Sequence, residues 1–160
     1  MADHAFRPVR RNDLPMLAEW LNQPAVAAWW TDTGAQVAAL HDKLDDPALH
    51  MLIVLRDGAP IAYAQCSEAA HWRAPHYDAL DTPEGTIALD VFSGPGGMGC
   101  GGEWLDDLAR HLLKRAPALI IDPDPANLRA IRAYEKAGFR GESVLLNEEG
   151  LPAHMMTRYR

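Results

Sequence analysis

The chain has 160 residues, 48% of them hydrophobic and 23% charged, a balance that fits one globular domain with a sizeable core and excludes a disordered chain. With 15 basic against 22 acidic residues the formal charge is −7, which repels phosphate backbones and anionic lipid heads; nucleic acid and membrane surfaces are poor partners and a cationic small molecule is a better one. The longest undiluted aliphatic run, Ala118 to Ile121, is too short for a membrane helix, and two distant cysteines, Cys66 and Cys100, with no leader-like start, fit a reduced cytoplasmic setting and exclude a disulfide framework.

Taken in chain order, Phe6 to Val9 reads as a short extended segment. Asn12, Asp13 and Pro15 then supply a cap and an early proline for a helix carrying Leu14, Leu17, Ala18 and Leu21 at helical spacing. Thr33 to Leu44 gives a second helix with Val37, Leu40, His41 and Leu44 on one side. Met51 to Leu55 and Pro60 to Ser67 flank Asp57 and Gly58 and form a β-hairpin. Glu68 to Gly85 has no periodicity and is expected to be a long surface loop, a kind of segment that often carries function.

Thr86 to Phe92 is an apolar strand interrupted by Asp90. The glycine-rich stretch Ser93 to Gly102 leads into a helix over Glu103 to Ala116, whose Trp104, Leu105, Leu108, Ala109, Leu112 and Leu113 make one apolar stripe. Ala118 to Asp122 is a further strand. Asp124 and Pro125 are expected to cap and open a helix with Leu128, Ile131 and Tyr134 on one face, ended by Gly138. Ser143 to Leu146 and His154 to Tyr159, joined across Asn147 to Gly150, are expected to form a terminal pair of strands.

Six glycines between Gly94 and Gly102 free several amide N–H groups to approach phosphate oxygens, helped by the positive end of the following helix; a merely flexible loop is the other reading. A Walker A loop would end in Gly-Lys-Ser/Thr, whereas this one ends in Gly101, Gly102 and Glu103. Seven histidines show neither a His-x-x-x-His pair nor a Cys/His cluster, so no zinc site is expected.

The loop Gly97, Met98, Gly99, Cys100, Gly101, Gly102, with Leu105 after it, is similar to the Gln/Arg-x-x-Gly-x-Gly/Ala pyrophosphate loop of the GNAT acyl-CoA N-acyltransferases, with Gly96 where that family usually has Gln or Arg. Downstream, Asn127, Ala130, Tyr134, Lys136, Gly138 and Phe139 resemble that family's Asn-x-x-Ala-x-x-x-Tyr-x-Lys-x-Gly-Phe motif. Within it, Trp29 and Trp30, the run Ile61 to Gln65, Asp90, and the run Asp122 to Asn127 resemble the aminoglycoside 6'-N-acetyltransferases, which confer antibiotic resistance.

The resemblance implies a single α/β domain over residues 1–160, a mixed central β-sheet flanked by helices, acting as an acetyl-CoA-dependent N-acetyltransferase with no metal. It implies cofactor contacts from Val91, Phe92, Gly97, Met98, Gly99, Cys100, Gly101, Gly102, Asn127, Ala130, Tyr134 and Lys136, and acceptor contacts from Trp29, Trp30, Gln65, Asp90 and Asp122. A siderophore-type hydroxylamine, a protein amine, and an acyl-CoA sensor without turnover are the competing readings. The chemistry needs a base, because an alkylammonium of pKa about 10.4 costs roughly 4 kcal/mol to deprotonate near pH 7.4. Asp90 is the candidate base, against a strand-end Asp bonded to backbone. Tyr134 is the candidate donor to the departing thiolate, against a core aromatic. Asp122 would hold the acceptor's ammonium, against simple loop capping.

Overall fold

The computed structural model describes residues 3–160, and the chain gathers into two compact units. One comprises the residues up to Gln65 with Val91–Gly99; the other comprises Cys66–Asp90 with Cys100–Arg160.

The first unit contains β1 (His4–Pro8), α1 (Leu14–Leu21), α2 (Pro24–Ala27), α3 (Thr33–Lys43), β2 (His50–Arg56) and β3 (Ala59–Glu68) as far as Gln65. β1 runs antiparallel to β2, from His4 opposite Arg56 to Pro8 opposite Leu52. The hairpin forms as expected: Asp57 and Gly58 both take positive φ, 49° and 86°, which a two-residue turn between twisted strands requires. Asp13 ends up 8% exposed because Arg7 donates to both its oxygens, at 2.8 and 2.9 Å, and the Arg10 amide to one of them at 2.7 Å. The apolar side of α1, Leu14, Leu17, Trp20 and Leu21, buries in one cluster with Met51, Ile53, Tyr63 and Phe92. Each such side chain contributes roughly 1.5–3 kcal/mol of transfer free energy.

The second unit contains α4 (Ala69–Trp72), α5 (Pro75–Asp78), the first part of β4 (Ile87–Ser93), α6 (Gly101–Leu112), β5 (Ala118–Ile121), α7 (Leu128–Lys136), β6 (Val144–Leu146), β7 (Pro152–His154) and β8 (Met156–Tyr159). β4 is parallel to β5 and β5 antiparallel to β8, so the six-stranded sheet, ordered β1-β2-β3-β4-β5-β8, is mixed as expected; β6 and β7 form a separate pair. α6 buries Trp104, Leu105, Leu108 and Ala109 of its predicted stripe.

Four expectations are corrected. The segment from Glu68 to Gly85 is not a surface loop: it forms the one-turn helices α4 and α5 and buries Ala69, Ala74 and His76. α7 starts later than Asp124, because the Asp124 carboxylate closes a local turn on the Ala126 amide at 2.8 Å and Asn127 takes the cap. Leu128 is accordingly 60% exposed and leaves the face of Ile131. The C-terminal stretch is two strands: β7 pairs with β6, and β8 with β5. Met155 and Met156 are consecutive and both buried, which one strand with one dry face cannot accommodate.

Candidate active site

The pairing of β4 with β5 sets the site. Ala88 lies opposite Ile120 where the parallel ladder ends, and Asp90 and Asp122 each follow two residues on, near enough for the charge of Asp90 to act on the Asp122 carboxyl. Ala88 and Ile120 belong to a buried cluster with Ala69, Ala153 and Met155, against which Tyr77, Leu80 and Leu145 pack. Two carboxylates therefore lie just beyond the paired stretch of adjacent parallel strands, on the carboxyl side where open α/β sheets place ligands.

α5 meets this pair. Pro75 opens its single turn and sends the next two residues to one carboxylate: His76 Nε2 lies 3.0 Å from Asp122 Oδ2, and the Tyr77 hydroxyl donates to Oδ1 at 3.2 Å. Glu148, on the turn between β6 and β7, brings its Oε2 to 3.8 Å from His76 Nδ1. Burial first, then the charge of Asp90, with a smaller contribution from Glu148, holds the Asp122 carboxyl well above the usual carboxylate range, while the Tyr77 bond opposes this. Burial lowers His76 even though Glu148 and Asp90 favour its cation. Burial raises the Tyr134 phenol, with Asp90 and Asp122 adding to it, so Tyr134 keeps its proton throughout the physiological range and feels both acids.

The glycine segment divides by purpose. A Cβ on Gly97 would sit 2.4 Å from the Ile61 carbonyl oxygen, so that glycine is demanded by a backbone approach within the first unit. A Cβ on Gly102 would lie 2.8 Å from Lys136 Cβ, so Gly102 lets α6 meet α7 and brings the Lys136 stem beside the start of α6. Gly99 at φ +83° and Gly101, whose nearest neighbour to a Cβ is Ala133 at 3.5 Å, have room around them. The Glu103 and Trp104 amides bond to the Cys100 carbonyl, and those of Gly101 and Gly102 precede them with no intrahelical acceptor. An anion fits this helix start: donors, dipole, a nearby lysine and space converge, with Glu103 the one acidic side chain in the first turn.

The other expected residues fall as follows. Asn127 Oδ1 accepts from the Ala130 amide at 3.3 Å and caps the helix that carries Tyr134 and Lys136, which gives the Asn-x-x-Ala spacing a structural purpose. Val91, Phe92, Gly97, Met98 and Gly99 belong to the first unit, with Trp29, Trp30 and Gln65. The Phe92 ring stacks on Tyr63 at 4.7 Å and meets the edge of Trp30 at 5.1 Å, so those rings serve the core, whereas Trp29 is 43% exposed. Gln65 is buried, and its Oε1 accepts from Lys43 Nζ at 3.0 Å and the Tyr63 hydroxyl at 2.9 Å. Sequence reasoning missed His76, Glu148 and the Tyr77 bond; the one local signal is a proline preceding a His-Tyr pair in a stretch otherwise without pattern.

Among the described residues no cluster of His, Cys, Asp and Glu is arranged to hold a metal, and no helix is long and apolar enough to cross a membrane.

The model of the acetyltransferase (GNAT) domain matches residues 10–145. An aminoglycoside N(6')-acetyltransferase type 1 from Klebsiella pneumoniae is 31% identical over 163 aligned positions, covering 94% of this chain and 81% of the relative. A crystal structure of the aminoglycoside acetyltransferase AAC(6')-Ib with coenzyme A and kanamycin superposes with a TM-score of 0.82 at 30% identity, covering 99% of this chain and 95% of the other. The same enzyme with paromomycin and acetyl-CoA gives 0.82 at 29% identity, covering 99% and 94%.

Proposed function

We propose, from the premise that the chain belongs to the acetyltransferase (GNAT) family, that residues 1–160 form one domain transferring an acetyl group from acetyl-CoA to the 6' amine of an aminoglycoside. The observation that carries the reading is the interacting pair Asp90 and Asp122, just past the paired stretch of β4 and β5, with Tyr134 electrostatically beside them, since amine acetylation needs an ammonium holder, a base and an acid in one place. The similarity to enzymes described with kanamycin, paromomycin and coenzyme A supports the substrate class, and the net charge of −7 suits a polycation.

Asp122 holds the ammonium, Asp90 takes its proton directly or through water, and the Tyr134 hydroxyl donates toward the departing sulfur. The amides of Gly101 and Gly102 at the start of α6, with Lys136 beside them, hold the phosphates. Acetyl-CoA supplies the activated acyl group. Attack is direct: Cys66 is buried with its thiol pushed up to about 11, which leaves it a poor nucleophile.

Gly101→Val tests the cradle cleanly, because position 101 has room for a Cβ within the protein. Weaker coenzyme A binding by about tenfold or more, measured by calorimetry with the melting temperature nearly kept, is the expected result; unchanged affinity contradicts it. Tyr134→Phe should lower kcat about tenfold and leave the KM for acetyl-CoA alone. Free-thiol release across aminoglycosides, polyamines, hydroxylamines and peptides tests the function itself: turnover is expected with aminoglycosides, and turnover confined to hydroxylamines or peptides would transfer the assignment to those classes.

A further inference from the structure

Asp122 has both carboxylate oxygens engaged by consecutive residues of α5, His76 on Oδ2 and Tyr77 on Oδ1. His76 is 4% exposed, and its Nδ1 has no hydrogen-bond partner within reach. When Asp122 is ionised, a ring whose Nε2 faces it carries its proton there, since the other tautomer would set a lone pair against an anion. A buried neutral ring with that tautomer is a donor to the Asp122 anion.

We infer that His76 is a positioning residue for the acceptor-holding carboxylate: together with Tyr77 it aims Asp122 and favours its anion, the form able to receive the ammonium. The inference rests on the role given to Asp122 above. Burial and the neighbouring charges of Asp90 on β4 and Glu148 on the β6–β7 turn all oppose that anion, and Tyr134 on α7 stays neutral nearby. Hydrogen bonds given to the charged form counter such pressure, and α5 supplies two. A protonated Asp122 would present no charge to an ammonium and would compete with it as a donor. Loss of a donor therefore raises the carboxyl's ionisation midpoint, and the acid limb of kcat/KM for the amine moves to higher pH.

The test is a pH titration of side-chain carboxyl carbons by NMR in the ligand-free protein, with Asp122 identified from the signal missing in Asp122→Asn, run beside amine kinetics. His76→Gln keeps an N–H donor and should leave the Asp122 midpoint within about half a pH unit of the parent. His76→Leu should raise it by about one unit or more, and increase the KM for the amine about tenfold near neutral pH with the KM for acetyl-CoA unchanged. Tyr77→Phe, which removes one oxygen, should move the midpoint the same way and carries the test if His76→Leu does not fold. An unmoved midpoint in His76→Leu, or a His76→Gln midpoint as high as that of Leu, overturns the inference. A parent that acetylates no amine would sink the proposed function, while the titration would still decide whether His76 governs Asp122.

Discussion

Asp90→Asn should lower kcat for amine acetylation about 100-fold or more at neutral pH, with acetyl-CoA affinity and melting temperature close to the parent. The amide keeps the volume of the carboxylate and its place in β4, so the fold has little reason to move, but it cannot accept the acceptor's proton. Asp90 and Asp122 follow the last paired residues of β4 and β5 and act on each other electrostatically, so the two acids can divide the work, one holding the ammonium and the other deprotonating it. The substitution also removes a negative charge that helps hold the Asp122 carboxyl high, so the Asp122 midpoint should fall in Asp90→Asn. A slow enzyme with a more acidic Asp122 is the combined expectation. Thiol release measured at saturating substrates checks it, and a rate equal to the parent's would remove Asp90 from the chemistry.

Gly97→Ala should destabilise the protein by about 3 kcal/mol, a fall in melting temperature of about 6–12 °C for a chain of this size. The added methyl would stand 2.4 Å from the Ile61 carbonyl oxygen, and a backbone oxygen cannot rotate away as a side-chain tip can. Gly101→Ala is the control, with ordinary contact at 3.5 Å and an expected change within about 0.5 kcal/mol. Thermal unfolding of both variants checks the contrast; equal melting temperatures would show that the close approach at position 97 relaxes without cost.

These two glycines show where sequence reading reached its limit. Both sit in one motif and resemble one phosphate loop, yet one is fixed by a carbonyl contributed from Ile61 and the other would meet only ordinary contact with Ala133. Spacing along the chain carries no record of a neighbour some 36 positions away. The hairpin at Asp57 and Gly58 and the stripe of α6 were legible because their causes are local: a two-residue turn needing positive φ, and a 3.6-residue period. The start of α7 was misplaced because Asp124 and Asn127 are both good caps, and only the turn that Asp124 makes with Ala126 selects between them.

The candidate site was legible in part for the same reason. Asp90 stood out as a charge in an apolar strand, and Asp122 as an acid at a strand end. Their proximity depends on strand pairing, and the hold of His76 and Tyr77 on Asp122 depends on the one-turn helix α5, in a stretch with no periodicity to reveal it. Short helices bury too few residues to leave a pattern, so their function shows only once the sheet they cover is in place.

The most direct test is product analysis after incubation with acetyl-CoA and kanamycin. A single acetyl group on the 6' nitrogen, with one free thiol released per product, is the result expected of a chain that pairs an ammonium-holding acid with a base. Coenzyme A bound tightly while kanamycin and every other amine remain unmodified would contradict it and leave a binding module in place of an enzyme.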